Sequence, residues 1–250
     1  MGRVTVRVYA ELNDFLPPER RQRDIAYDFV VAPSVKDAVE SLGVPHTEID
    51  VILADGQPVG FDHRLVDGEH ISVYPVFEAF DVAGLNRLRR EPLRDPRFVA
   101  DVHLGTLARN LRLLGFDTVW RNDADDAELA GIAARDKRIL LTRDRGLLKR
   151  AAVDRGVFVR HDDPFEQTVD VLARLDLGRR IAPFTRCLVC NGELHAVDKA
   201  TVIDELPPRT REEFDEFVRC DGCGRVYWKG SHHERLVRIV DDVRARLAQP

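Results

Sequence analysis

The sequence predicts an α/β protein in three consecutive parts, and three observations carry that reading. Residues 98–144 alternate strand, helix, strand, helix, strand. Residues 3–77 hold four short apolar runs around one capped helix, which reads as a small α+β unit. The last quarter contains two Cys-x-x-Cys pairs. Strands alternating with short helices imply right-handed crossovers and a parallel sheet.

In the first part Val4, Val6 and Val8 alternate, and residues 25–31 offer a second strand. Ser34 is placed to cap a helix, with Asp37 three residues on, Gly43 at the end, and one apolar stripe of Val35, Ala38, Val39 and Leu42. Residues 51–53 and 71–74 supply two more strands, with turns at Asp55-Gly56 and Asp67-Gly68. This order resembles the β-grasp, ubiquitin-like sulfur carriers of the ThiS and MoaD type. The resemblance rests on Val8-Tyr9-Ala10-Glu11-Leu12, the capped helix and Asp67-Gly68-Glu69-His70-Ile71. Such carriers end in a Gly-Gly tail that becomes a thiocarboxylate, whereas the matching place here reads Pro75-Val76-Phe77-Glu78-Ala79-Phe80-Asp81. The part is therefore expected to be a binding or docking module with a protein partner, not a carrier.

Composition narrows the class. Of 250 residues, 44% are apolar and 32% charged, which suits a folded chain and not a disordered one. No apolar run approaches the roughly 20 residues that span a bilayer, and the start lacks a signal peptide's apolar core, so no membrane partner and a cytoplasmic home are expected. Thiols stay reduced there, and paired cysteines more often bind metal. Residues 1–90 hold ten basic and fifteen acidic side chains, and so carry the whole net charge of -5. Residues 135–150 hold seven basic and two acidic ones, a local +5. That stretch suits the docking of a polyanion, and equally a solvated helix face.

Asp101 closes the run Phe98-Val99-Ala100, and Asp144 follows Ile139-Leu140-Leu141-Thr142-Arg143. Ligand sites of open parallel sheets lie beyond the carboxyl ends of the strands. Acids gathered there offer hard oxygen donors that suit Mg²⁺ or Mn²⁺. The helix opening at Asp123-Ala124-Asp125-Asp126-Ala127-Glu128 supplies a further acid, read as Asp126 with Asp125 and Glu128 left open. Asp162, beyond the strand at residues 157–159, is the fourth candidate. Asp126, Asp144 and Asp162 or Asp163 are each readable as a helix cap alone. Asp101 is harder to read that way, because Val102 and His103 make poor capping company.

The order Asp101, Asp126, Thr142-Arg143-Asp144 resembles the PIN-like nucleases. Closer still is the bacterial family named after the C-terminal RNase region of the exonuclease Mut-seven. The likeness rests on Phe98-Val99-Ala100-Asp101, Leu104-Gly105, Leu107-Ala108-Arg109, Leu111-Arg112, Leu114-Gly115-Phe116-Asp117 and Leu140-Leu141-Thr142-Arg143-Asp144. Thr106 departs from it where Arg or Lys is expected. The resemblance implies a PIN-type fold, a Mg²⁺ or Mn²⁺ requirement and ribonuclease activity, with Asp101, Asp126 and Asp144 as metal ligands.

Cys187, Cys190, Cys220 and Cys223 are the only cysteines. Each pair lets two thiolates reach one ion from a tight knuckle, and two knuckles complete a closed tetrahedral zinc site. The 29 intervening residues exceed the usual spacing, so an excursion around Pro207-Pro208 is expected. Nearby, Arg186, Arg219, Arg225, Tyr227, Trp228, Lys229, His232 and His233 gather aromatic and cationic groups that suit unpaired bases and phosphates. Trp228 is equally readable as a packing residue. A closing helix carries Leu236, Ile239, Val240, Val243 and Leu247.

Taken together, the expected order is a β-grasp domain at 1–80, a linker at 81–96, a PIN-like domain at 97–180, and a zinc ribbon with closing helix at 181–250. The expected reaction is metal-dependent hydrolysis of RNA, structured RNA such as tRNA included, with Arg109, Arg112, Arg143, Arg145 and Trp228 on the substrate. The alternatives are a non-catalytic RNA-binding or adaptor protein and a sulfur-transfer accessory.

Overall fold

The structure, a computed structural model, describes residues 1–75, 88 and 95–249. The chain begins with strands β1 (Gly2–Val8) and β2 (Asp24–Phe29), helix α1 (Val35–Ser41), and strands β3 (Ile49–Ala54), β4 (Gln57–Pro58) and β5 (His70–Pro75). Next come β6 (Phe98–Ala100), α2 (Gly105–Leu113), β7 (Thr118–Trp120), α3 (Asp126–Arg135), β8 (Ile139–Thr142), α4 (Arg145–Leu148), β9 (Gly156–Phe158) and α5 (Pro164–Arg174). The last part holds β10 (Leu194–Val197), α6 (Lys199–Val202), α7 (Pro208–Glu213), β11 (Phe217–Cys220), β12 (Val226–Trp228) and α8 (Ser231–Leu247). The expected linker lies outside the described residues, apart from Leu88, Asp95 and Pro96. Among the described residues no helix is long and apolar enough to cross a membrane.

Two compact units emerge, Met1–Asp95 with Asp126–Phe158, and Pro96–Asp125 with Val159–Pro250. In space, therefore, α3, β8, α4 and β9 group with the N-terminal module.

The first unit is built on a five-stranded sheet in the order β2-β1-β5-β3-β4. Central β1 and β5 run parallel, and antiparallel β2 and β3 flank them, the β-grasp arrangement expected from sequence. Val4, Val6 and Val8 all point into the core, because alternate residues share a face of a strand. Helix α1 packs there through Val35, Ala38 and Val39. Ser34 caps it as expected, accepting from the Asp37 amide at 3.1 Å. Asp55 and Gly56 turn the chain with positive φ values of 47° and 79°. The second strand is shorter than expected. Pairing ends at Phe29 opposite Gly2, and Val30 and Val31, left without a partner strand, are each 82% exposed. In the same unit β8 and β9 form a parallel pair.

The second unit holds the parallel pair β6 and β7 with α2 and α5. Leu107, Ala108 and Leu111 are buried along α2, and Gly115 ends the turn with a φ of 95°. An added Cβ on Gly115 would lie 2.1 Å from the Ala182 carbonyl oxygen, so only glycine fits. The C-terminal sheet, β10-β11-β12, is antiparallel and carries the cysteines. The expected excursion is folded. It supplies Val202 and Leu206, which join Phe217 in a small core of their own.

Candidate active site and metal centre

The four cysteine sulfurs all lie within 4.8 Å of one another, the one such His, Cys, Asp or Glu group among the described residues. Cys187 Sγ is 3.7 Å from Cys223 Sγ, and Cys190 Sγ is 3.3 Å from Cys220 Sγ. Sulfurs bound tetrahedrally to zinc at about 2.3 Å sit about 3.8 Å apart, so the spacing fits a zinc ion. The two knuckles repeat one turn. Cys187 N donates to Gly192 O at 2.8 Å, and Cys220 N donates to Arg225 O at 3.0 Å. Asn191 N returns to Cys187 O at 3.0 Å, and Gly224 N to Cys220 O at 2.9 Å. Asn191 and Gly224 hold φ values of 72° and 71°, the left-handed residue that each turn needs. Gly192 is required for another reason, since a Cβ there would lie 2.8 Å from Cys220 Sγ.

The thiols differ in acidity. Burial resists ionisation of Cys187, but the Tyr227 hydroxyl at 3.0 Å and the amides of Cys190 and Val189 outweigh it and bring the thiol down to about 6. Burial and the neighbouring sulfurs push Cys190 up to about 12. A divalent cation among the four sulfurs would let all of them ionise. Tyr227 therefore serves the cysteine site, and burial and that sulfur push its own hydroxyl up.

Arg112 has a role that sequence reasoning missed. The residue is 4% exposed, and its guanidinium donates to Thr118 O at 2.9 Å, Leu188 O at 3.2 Å and Val189 O at 2.9 Å. It brackets the first knuckle against the end of α2, with no face turned to solvent for a phosphate. Asn191, also missed, helps from the other side. It donates to Asp117 at 2.6 Å and accepts from Thr118 N at 2.9 Å. The left-handed position after a Cys-x-x-Cys pair was the available signal.

The carboxylates stand at ends of elements. Asp101 directly follows β6, is half-buried, and does not cap the turn after it, in line with the sequence argument. Asp144 is the N-cap of α4, accepting from Gly146 N at 2.6 Å. Its own amide donates to Thr142 Oγ1 at 2.9 Å, so the Thr-x-Asp spacing fixes the backbone under the acid. Asp126 opens α3 and pairs with Arg150 at 3.2 Å. Asp162 is exposed, and its neighbour Asp163 takes the cap of α5.

Arg109 and Arg143 are exposed on α2 and after β8. The basic stretch is largely mortar. Arg135 is bonded twice to Asp136, at 2.9 and 3.0 Å, and Arg150 pairs with Asp126. Arg145 and Lys149 donate to backbone carbonyls of the N-terminal module. Trp228 is half-buried against the small core around Phe217, the packing reading of that residue. Lys229 pairs with Glu216, and Arg219 with Glu205.

A protein with a β-grasp module, parallel strand pairs in which an aspartate follows β6 and β8, and a four-cysteine ribbon is of mixed α/β class. More particularly, the family described as the Mut7-C RNAse domain matches residues 96–240, and the chain belongs to it. The Mut7-C ubiquitin family matches residues 1–81. No curated protein matches the chain. Among solved structures, that of SAMP1 from Haloferax volcanii is similar at 17% identity over 32% of this chain and 100% of that one, with a TM-score of 0.25.

Proposed function

We propose that the chain is a metal-dependent ribonuclease of the cytoplasm that hydrolyses RNA phosphodiester bonds. Membership in the Mut7-C RNAse domain family is the observation that carries this reading. Asp101, Asp126 and Asp144 are the proposed Mg²⁺ or Mn²⁺ ligands, with Asp162 as a fourth acid. Hard carboxylate oxygens fit such ions, and three of them offset the charge. When bound, the ions supply Lewis acidity and neutralise charge on the phosphate.

The chain's own residues hold the rest. Asp144 carries two carboxylate oxygens, of which the cap of α4 uses one, at Gly146 N. Arg109 and Arg143 are the proposed phosphate contacts, and Trp228 a base contact at its exposed edge. The cysteines are proposed as a structural zinc site. The β-grasp module, within domain bounds of 1–80, 97–180 and 181–250, is the proposed surface for a protein partner.

Purified protein incubated with structured RNA such as tRNA, with Mg²⁺, Mn²⁺ or EDTA, tests this beside Asp144→Asn. Asn is as good an N-cap as Asp, so the variant keeps α4 and changes only the donor to a metal. Cleavage should require metal and vanish in Asp144→Asn while RNA stays bound. RNA that is bound but never cut, under any metal, would instead favour a non-catalytic RNA-binding protein.

A further inference from the structure

We infer that the β-grasp module is a clamp for the segment that carries Asp144, and that Arg145 is the positioning residue of the clamp. This rests on the nuclease reading of Asp144.

Helix α4 has four residues, a single turn that cannot hold its own geometry in water. Something outside it must fix the cap residue. Arg145, next to Asp144, donates from Nη1 to Phe15 O at 3.3 Å and from Nη2 to Asp14 O at 3.4 Å. Its guanidinium also lies over two rings, 5.2 Å from the centroid of Phe15 and 5.4 Å from that of Phe158. Those rings meet edge to face at 5.5 Å, so the cation sits against one aromatic pair shared by the module and β9.

Three further ties run along the same segment. Lys149 Nζ donates to Glu40 O at 2.7 Å, at the end of α4. His46 Nε2 lies 3.0 Å from Val153 O. The buried Glu48 carboxylate accepts the Phe158 amide. Each partner on the module side lies in or beside α1 or one of two short helical turns, Ala10–Phe15 and His46–Glu48. A free docking domain has no need to anchor every few residues from 145 to 158. A module that sets the orientation of an acid does.

The test uses the full-length protein with Arg145→Met, which keeps an apolar stem beside the two rings and loses both carbonyl bonds. Arg145→Lys is the conservative partner. Lys149→Met, at the far end of α4, is the second route should Arg145→Met fold poorly. kcat and KM for RNA cleavage are measured together with amide hydrogen exchange at Gly146 and Leu147. Misplacing a catalytic group by about 1 Å costs up to about 100-fold, so Arg145→Met should lower kcat by about tenfold or more with KM nearly unchanged. Its exchange should speed up, and Arg145→Lys should recover part of both. A rise in KM with kcat and exchange unchanged would make Arg145 a phosphate contact and overturn the clamp, and so would no change at all. A wild-type protein that cuts no RNA overturns the nuclease reading and the catalytic half of this inference. Exchange would still decide the clamp.

Discussion

The Arg112 guanidinium donates to the carbonyl oxygen of Val189, 2.9 Å away, inside the first cysteine knuckle. A side chain of α2 thus holds the turn that presents two of the four sulfurs. Burial opposes its charge, the largest influence on it, while the nearby cysteines and Asp117 favour the charge.

Arg112→Met should therefore destabilise the fold and loosen the metal. Three carbonyl acceptors lose a donor, and a buried unsatisfied acceptor costs about 1–3 kcal/mol. Urea unfolding should show a loss of about 3 kcal/mol, and a chromogenic chelator should draw zinc faster. Unchanged chelation kinetics would mean that the knuckle holds itself.

Gly192→Ala should weaken zinc binding more than it weakens the β-grasp unit. The added Cβ would lie 2.8 Å from Cys220 Sγ, inside any ordinary contact. Competition with a chelator of known affinity would read the effect. An affinity equal to wild type would mean that the knuckles shift without cost.

Removing zinc should unravel the ribbon selectively. Its own core is small, with Val202, Leu206 and Phe217 as its buried residues, so a bound ion would supply much of the stability. Proteolysis after chelation should cut within residues 187–230 and spare residues 1–75. Uniform resistance in the apo protein would show that the small core suffices.

Acid should destabilise the first unit through His46. The ring is 5% exposed, and burial pushes its pKa below the usual value, with Lys36 adding to the shift and Glu40 and the Val153 carbonyl opposing it. A histidine with a lowered folded pKa stays neutral in the fold and charges on unfolding. Its contribution is therefore complete above the ordinary value of about 6.5 and is lost as pH falls below it. Urea midpoints between pH 7.5 and 5 should drop for wild type and drop less for His46→Gln. Parallel curves would assign the loss to other groups.

The Asp126–Arg150 pair should contribute little to stability. The two side chains are 47% and 44% exposed, so solvent screens their attraction. Arg150→Ala should shift the unfolding free energy by less than about 1 kcal/mol, while Asp126→Asn should lower metal-dependent cleavage. Full activity in Asp126→Asn would pass the role to Asp125 or Glu128.

Much of this architecture was legible in the chain. The alternation at Val4, Val6 and Val8, the Ser34 cap and the stripe along α2 each follow from a local period or a single orphan amide. The cysteine spacing announced both the cluster of four sulfurs and its excursion. The charge reading was less direct. Seven cations between residues 135 and 150 look like a docking face, yet Arg135, Arg145, Lys149 and Arg150 bind acids and carbonyls of their own unit. Local composition records that a cation is present, not which acceptor lies across space.

By itself the sequence determined the elements, the knuckles and the strand-end aspartates, because caps, turns and periodicity act over a few residues. Only the tertiary structure decided what Arg112, Arg145 and Tyr227 do. Their partners lie between 6 and 131 positions away in the chain. A long side chain takes its role from whichever unsatisfied oxygen, ring or sulfur the fold brings within about 3 Å of its donors.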